Sequence, residues 1–332
     1  MKKILNKMIT WGSPSLLPKK LVFIDGVTRS GKSMLGPVVS SFTKTYPWQY
    51  QTILDRLLPV YKHKSIDHSL LTSMLNHYFN KNIYCLNISR EINLRKNDFS
   101  SVVYDKDYKK YLNNLKINDG NQIIEKIKKK NFNLVYQTHD LLSMASELNK
   151  LNLPYKLIYI YRHPIDNIFS FFKRYDPRVN FQSSYNIDDP RLYSMMIKYN
   201  KQLLPWYALN QEKKFLKLSF FEKVILYYLF SIKNSVKSYK RLNKIQKNKV
   251  LLIQFDSFAT NINHEIKRIK KFLDVKTTSH TKKVLKRNNL PRSIELYERE
   301  NKLKKIKNNI NATLFEEVLK IKKKYENSNL FL

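Results

Sequence analysis

The apolar positions change period along the chain, and the changes mark its elements. Leu21-Val22-Phe23-Ile24 is an unbroken apolar run closed by Asp25-Gly26, the pattern of a strand covered on both faces. Asn133 to Gln137 and Lys156 to Tyr161 repeat it. Between these runs the spacing turns helical. Helices are predicted from Lys32 to about Lys44 with Pro47 beyond the end, over Ile66 to Phe79, and over Leu141 to Leu151. Another begins at Pro164, with Ile165, Ile168, Phe169 and Phe172 on one face. Further helices are predicted over Asp188 to Leu204, Phe220 to Leu242 and around Ile262 to Leu273, and a last one has Leu314, Val318, Ile321 and Tyr325 in line. Ile83 to Ile88 reads as a strand, and Asn93 to Asn121 as a polar stretch. Strands alternating with helices predict an α/β fold with a parallel sheet, whose ligands bind where the strands finish. Gly26, His139 and Arg162 would then line one crevice.

The first strand runs into Gly26-Val27-Thr28-Arg29-Ser30-Gly31-Lys32-Ser33, a full G-x-x-x-x-G-K-S phosphate loop. Glycines at 26 and 31 let the backbone curl so that successive N–H groups face inward, and the next helix offers its positive end to an anion. Lys32 can reach terminal phosphate or sulfate oxygens. Ser33 can bond a phosphate oxygen or a metal attached to it.

The third run ends in Arg162-His163-Pro164. Pro164 suits the first helical position and Asp166 the first turn. Arg162 precedes the helix and Ser170 lies about two turns in, so both can converge on an anion. Taken singly, a salt bridge explains the one and an ordinary helix serine the other.

Composition adds bounds. Sixty-two Lys plus Arg against 26 Asp plus Glu give a formal charge of +36 over 332 residues. Such a charge attracts polyanions. The lysines are spread among Asn and Ile along the whole chain, which a coding bias explains as readily as a binding surface. A lone Cys85 excludes an internal disulfide and a Cys-based zinc site, and suits a reducing compartment. MKKILNKMITWG has too short an apolar run for a signal peptide, and the most apolar stretch, Val224 to Ile232, is well short of the ~20 residues a bilayer requires. A soluble, cytoplasmic protein is expected.

Several ordered segments resemble one family. Tyr161-Arg162-His163-Pro164-Ile165-Asp166-Asn167-Ile168-Phe169-Ser170 is similar to the R-x-P-x-D-x-x-x-S segment with which sulfotransferases bind the 3′-phosphate of 3′-phosphoadenylyl sulfate (PAPS). Val135 to Asp140 resembles the K-T-H strand end of the cytosolic members. Val250 to Phe258, followed by the helix to Phe272-Leu273-Asp274-Val275, resembles the family's strand, acidic residue, helix and F-L-G ending. The resemblance covers roughly 21–45 and 133–275.

It implies a P-loop-type parallel sheet flanked by helices in a single sulfotransferase-like domain over 1–332, with a largely helical insertion at 47–125 on the acceptor side and C-terminal helices. It implies PAPS as co-substrate and no metal. Gly26, Thr28, Arg29, Ser30, Gly31, Lys32 and Ser33 would surround the 5′-phosphosulfate, Arg162 and Ser170 the 3′-phosphate. His139 stands where cytosolic sulfotransferases keep a general base. Either Arg29 or Lys32 could neutralise the bridging oxygen. Arg29 stands in place of the usual Lys, Lys32 of the usual Thr, and Gln137 of the Lys in K-T-H. The family's R-K-G loop is not visible, and Lys286 to Arg292 reads better as a solvated basic turn.

The acceptor expected is a hydroxyl or amine, of a carbohydrate or glycolipid or else of a small alcohol or phenol, with room for peripheral membrane contact and no specific nucleic acid. Two other readings stay open. A P-loop kinase using Mg-ATP matches Lys32 and Ser33 without departure, with Arg174, Arg178 and Arg191 as a lid and Asp140 or Asp256 near the metal. A non-catalytic polyanion-binding protein explains the charge but gives the loop no task.

Overall fold

The computed structural model describes residues 10–118, 120–175 and 194–332. Strands β1 (Lys20–Asp25), β2 (Gln49–Tyr50), β3 (Asn133–Gln137), β4 (Tyr155–Tyr161) and β7 (Val250–Gln254) form a parallel sheet in the order β2-β3-β1-β4-β7. Phe23 pairs with Tyr136 on one side and Leu157 on the other, which brings the ends of β1, β3 and β4 level.

The unbroken apolar runs have a two-sided use. Leu21, Phe23, Leu134, Tyr136, Leu157 and Tyr159 point into one core, and Val22, Ile24, Val135, Ile158 and Ile160 into another. Helices Ile53–Lys62, His68–Asn87, Pro164–Tyr175, Phe220–Arg241 and Ala312–Glu326 cover the first face; Lys32–Ser40, Ile262–Leu273 and Ser279–Arg287 cover the second. Phe23 is fully buried among Phe79, Tyr136 and Tyr155. Cutting it back to Ala would cost about 3–5 kcal/mol.

Several expectations need correction. Ile83 to Ile88 is not a strand: His68–Asn87 is one helix, capped by Asp67, which accepts the Leu70 N–H at 2.8 Å. Leu71, Leu75, Phe79, Ile83 and Leu86 are buried along one of its faces, so the apolar run belongs to the helical period. Asp188 to Leu204 is not a helix where it can be described. Met196–Tyr199 (β5) pairs antiparallel with Gln202–Pro205 (β6) around Asn200 and Lys201, both at positive φ, as a tight hairpin requires. Residues 188–193 lie outside the described residues. The loop-fed helix stops at Ser40, short of Lys44. The stretch 47–125 is mostly helical, yet it also supplies the edge strand β2. Phe220–Arg241 and Ala312–Glu326 are helices as expected, and Leu314, Val318, Ile321 and Tyr325 are all buried. Trp206 packs edge-on against Phe230. Among the described residues no helix is long and apolar enough to cross a membrane.

Candidate active site

The phosphate loop closes β1 with strained backbone. Gly26 has φ +142° and Gly31 +111°, and Arg29 is left-handed at +69°. A Cβ at Gly26 would strike the Ile160 carbonyl of the neighbouring strand, and one at Gly31 the Phe255 ring, so both places require glycine. The Ser30 N–H donates to the Val27 carbonyl at 3.1 Å. Buried Asn167, on Pro164–Tyr175, clamps the loop from the side. With its amide oriented to satisfy both contacts, Nδ2 donates to the Thr28 carbonyl at 3.1 Å and Oδ1 accepts the Ser30 N–H at 3.2 Å. Lys32–Ser40 starts at once, and Ser33 is exposed on its first turn.

Lys32 is folded under the loop. Its Nζ donates to the carbonyls of Gly26 and, at 3.0 Å, Val27. Burial brings its pKa down to about 8 against the pull of Asp25, Asp140 and Asp55. Asp25 is itself fully buried, and burial raises it although it accepts the Leu142 N–H at 2.9 Å.

Cations crowd the opposite rim. Arg29 Nε donates to Ser170 Oγ at 3.1 Å, and Arg162 Nη1 to the Arg29 carbonyl at 3.4 Å. The Arg162 guanidinium lies 4.7 Å from the centre of the Phe255 ring, and that of Arg292 5.6 Å from the same ring. Burial lowers the Arg162 pKa, and the Arg292 and Arg29 charges push the same way. Asp166 and Asp256, which act in the other direction on Arg162, also face other cations, with Asp256 Oδ1 left without a hydrogen-bond partner. Arg299 donates to both at 2.8 Å, and Lys302 to Asp166 at 3.0 Å. Arg162 Nε and Ser30 Oγ are buried with no hydrogen-bond partner. Arginines gathered beside the loop, with the Arg162 Nε and Ser30 Oγ donors in waiting, fit a ligand carrying more than one anionic group.

His139 lies at the end of β3, across the loop from that rim. Its backbone N–H donates to Asp55 Oδ1 at 2.7 Å, and its ring Nδ1 is 3.4 Å from Asp55 Oδ2. The Tyr50 ring meets it edge-on at 5.7 Å. Burial, helped by the Lys32 charge, holds the imidazole well below its usual pKa, so it is neutral at pH 7. Asp140, next in the chain, takes hydrogen bonds from Tyr227 at 3.1 Å and from Ser231, and burial pushes its pKa up to about 6.

The loop, Arg162 and Ser170 thus meet side by side, and His139 stands just past the end of β3. Asp140 and Asp256, offered above as aspartates near a metal, are engaged by Tyr227 and Ser231 and by Arg299. Among the described residues no group of three or more His, Cys, Asp or Glu side chains could hold a metal ion. The positions of Arg178 and Arg191 and the side chain of Arg174 lie outside the described residues. The basic stretch 286–292 is not simply solvated, since the Arg292 N–H donates to the Ala259 carbonyl at 2.8 Å and its guanidinium reaches Phe255. Asp55, Asn167 and Arg299 were given no role in the sequence, and Arg292 was set aside with its stretch as a solvated turn. Only Asn167 had a local signal, being on the same helix as Ser170.

Similar solved structures include three sulfotransferases. The sulfotransferase domain of the Synechococcus PCC 7002 olefin synthase is 13% identical, covering 96% of this chain and 98% of that one, with a TM-score of 0.46. The sulfotransferase domain of the curacin biosynthetic pathway is 13% identical over 94% and 99%, with a TM-score of 0.47. Sulfotransferase STF9 from Mycobacterium avium is 9% identical over 98% and 79%, with a TM-score of 0.43. No curated protein matches the chain in sequence. The sulfotransferase domain model matches residues 19–325, from the start of β1 to Tyr325 at the end of Ala312–Glu326, and the chain belongs to that family.

Proposed function

We propose that the protein moves the sulfuryl group of PAPS to a hydroxyl or amine of an acceptor. One observation carries this reading: Arg29, Arg162 and Ser170 meet beside the phosphate loop, with Arg292 over the same ring as Arg162. A nucleotide with anionic groups at both its 5′ and 3′ positions suits such a site. The loop N–H groups from Thr28 to Ser33, apart from that of Ser30, would take the 5′ end, and Arg162 and Ser170 the 3′-phosphate.

In transfer, the acceptor oxygen attacks sulfur in line as the bond from sulfur to the bridging oxygen breaks. The acceptor proton passes to neutral His139, which is typically worth ~10² to 10⁴ in rate. Arg29 or Lys32 would meet the charge that builds on the bridging oxygen. As Lys32 is held by loop carbonyls, Arg29, already at the rim, is the better supported of the two.

We place the acceptor side at 47–125, within one domain over 1–332, because Tyr50 and Asp55 of that stretch touch His139. An acceptor in a carbohydrate or glycolipid, met in a cytoplasmic setting or at a membrane surface, suits the net charge and the single cysteine. The test is thermal unfolding with adenosine 3′,5′-bisphosphate and, separately, with ATP plus Mg²⁺. At 100 times its dissociation constant a ligand stabilises by ~2.7 kcal/mol. A rise in midpoint with the bisphosphate alone is expected; a rise with ATP and Mg²⁺ alone would turn the reading to a kinase.

A further inference from the structure

We infer that Asp55 is the positioning residue for His139, fixing the imidazole as the Nδ1–H tautomer with its lone pair on Nε2. The inference rests on His139 being the base proposed above. Asp55 lies in the first turn of Ile53–Lys62, in a part of the chain 84 positions from His139. Its two oxygens divide between two groups of one residue, Oδ1 taking the backbone N–H and Oδ2 facing the ring. The backbone bond, at 2.7 Å, fixes where the carboxylate stands, so Oδ2 stays opposite Nδ1. The side chains are 3% and 5% exposed, so water does not compete for this contact.

Electrostatics selects the tautomer. With the proton on Nε2, the Nδ1 lone pair would face a carboxylate oxygen in a dry setting, two acceptors opposed. With the proton on Nδ1 the contact becomes a charge-assisted hydrogen bond. At 3.4 Å it is long, as catalytic hydrogen bonds often are before a substrate binds. Among the described residues, groups facing the pair include Lys32 from the loop-fed helix, Asp25 from β1, Asp140 beside His139, and the Tyr50 ring from β2. Burial raises the Asp55 carboxyl, Asp25 and Asp140 push the same way, and the His139 N–H and Lys32 oppose them. A neutral Asp55 would instead donate to Nδ1 and move the ring proton to Nε2, spoiling the base. The pair therefore has two arrangements with opposite chemical meaning.

The experiment reads the ring directly and needs no acceptor. The full chain is labelled with ¹⁵N-histidine, and the nitrogen shifts and couplings are recorded near pH 7.5. Seven histidines give a tractable spectrum, and His139→Gln identifies the signal. If that variant does not fold, contacts with the Tyr50 ring protons identify it. The expected result is Nδ1–H favoured roughly tenfold or more, the worth of one charge-assisted hydrogen bond. In Asp55→Asn the preference should vanish or reverse, and Asp55→Glu should restore part of it. An Nε2–H ring in the unaltered protein, or an Nδ1–H ring unmoved by Asp55→Asn, overturns the inference. Thermal unfolding of the same samples with adenosine 3′,5′-bisphosphate separates the two claims: no shift in the unaltered protein counts against the donor, whatever the tautomer.

Discussion

Arg29 Nε donates to Ser170 Oγ at 3.1 Å, joining residues 141 positions apart through two groups that each suit an anion. Ser170 is carried on helix Pro164–Tyr175 and Arg29 on the left-handed turn of the loop. An incoming 3′-phosphate can take over the serine hydroxyl, which frees the Arg29 guanidinium to turn toward the 5′ end. Ser170→Ala should weaken adenosine 3′,5′-bisphosphate roughly 2- to 12-fold, the span of one neutral hydrogen bond, and Arg162→Ala roughly 10- to 150-fold. Titration calorimetry checks both, and unchanged affinity in the pair would remove the 3′-phosphate site.

Gly26→Ala tests the loop. The added methyl meets the Ile160 carbonyl, on the backbone of a central strand that cannot yield. With φ at +142° the strain alone is of order 1–3 kcal/mol. Urea unfolding should show at least that loss, together with lost bisphosphate binding. A variant as stable as the parent would mean that the loop is not drawn as tightly as described.

Lys32 gives a pH signature. Burial brings its folded pKa to about 8, against 10.5 for the ordinary group. Between those values the unfolded chain holds more protons on Lys32, so its contribution makes stability climb as pH rises from about 8 to 10.5. Lys32→Met removes that climb, and the difference between the two proteins in urea midpoints across this window reads it. Bound bisphosphate should raise the folded Lys32 pKa and so narrow the window from below. A parallel pair of pH curves would place the ammonium in water.

Arg299→Met should destabilise by about 1–3 kcal/mol, because Asp166 and Asp256 both lose a donor while only Asp166 keeps Lys302. Asp166→Asn in the same chain should recover part of the loss. Chemical unfolding of the single and double variants decides it, and strictly additive costs would mean that the groups do not act together.

The strands around the site were legible because each is apolar on both faces, which only a covered parallel strand requires. Gly26, Gly31, Arg162 and Ser170 were legible through spacing, since a phosphate loop and a two-turn separation are local patterns. Asp55 was not. Its partner is far away in sequence, and an aspartate early in a helix is also what any helix start favours. Arg299 was hidden likewise among neighbouring cations. The hairpin at 196–205 was misread because its turn is Asn-Lys, without the glycine that usually announces such a turn. The helix through Ile83 was misread because six apolar-rich residues alone do not reveal their period.

His163, next to Arg162, is fully buried. Its Nε2 is 3.2 Å from Glu326 Oε1, and its ring meets Tyr325 edge-on at 5.3 Å. The brace behind the anion rim is thus supplied from Ala312–Glu326, some 300 residues after the loop it serves. A ribosome adding ~5–20 residues per second takes roughly 15–60 s to cover that interval. During synthesis the phosphate loop exists for all that time without its support, so the rim of cations beside it is completed late in the growth of the chain.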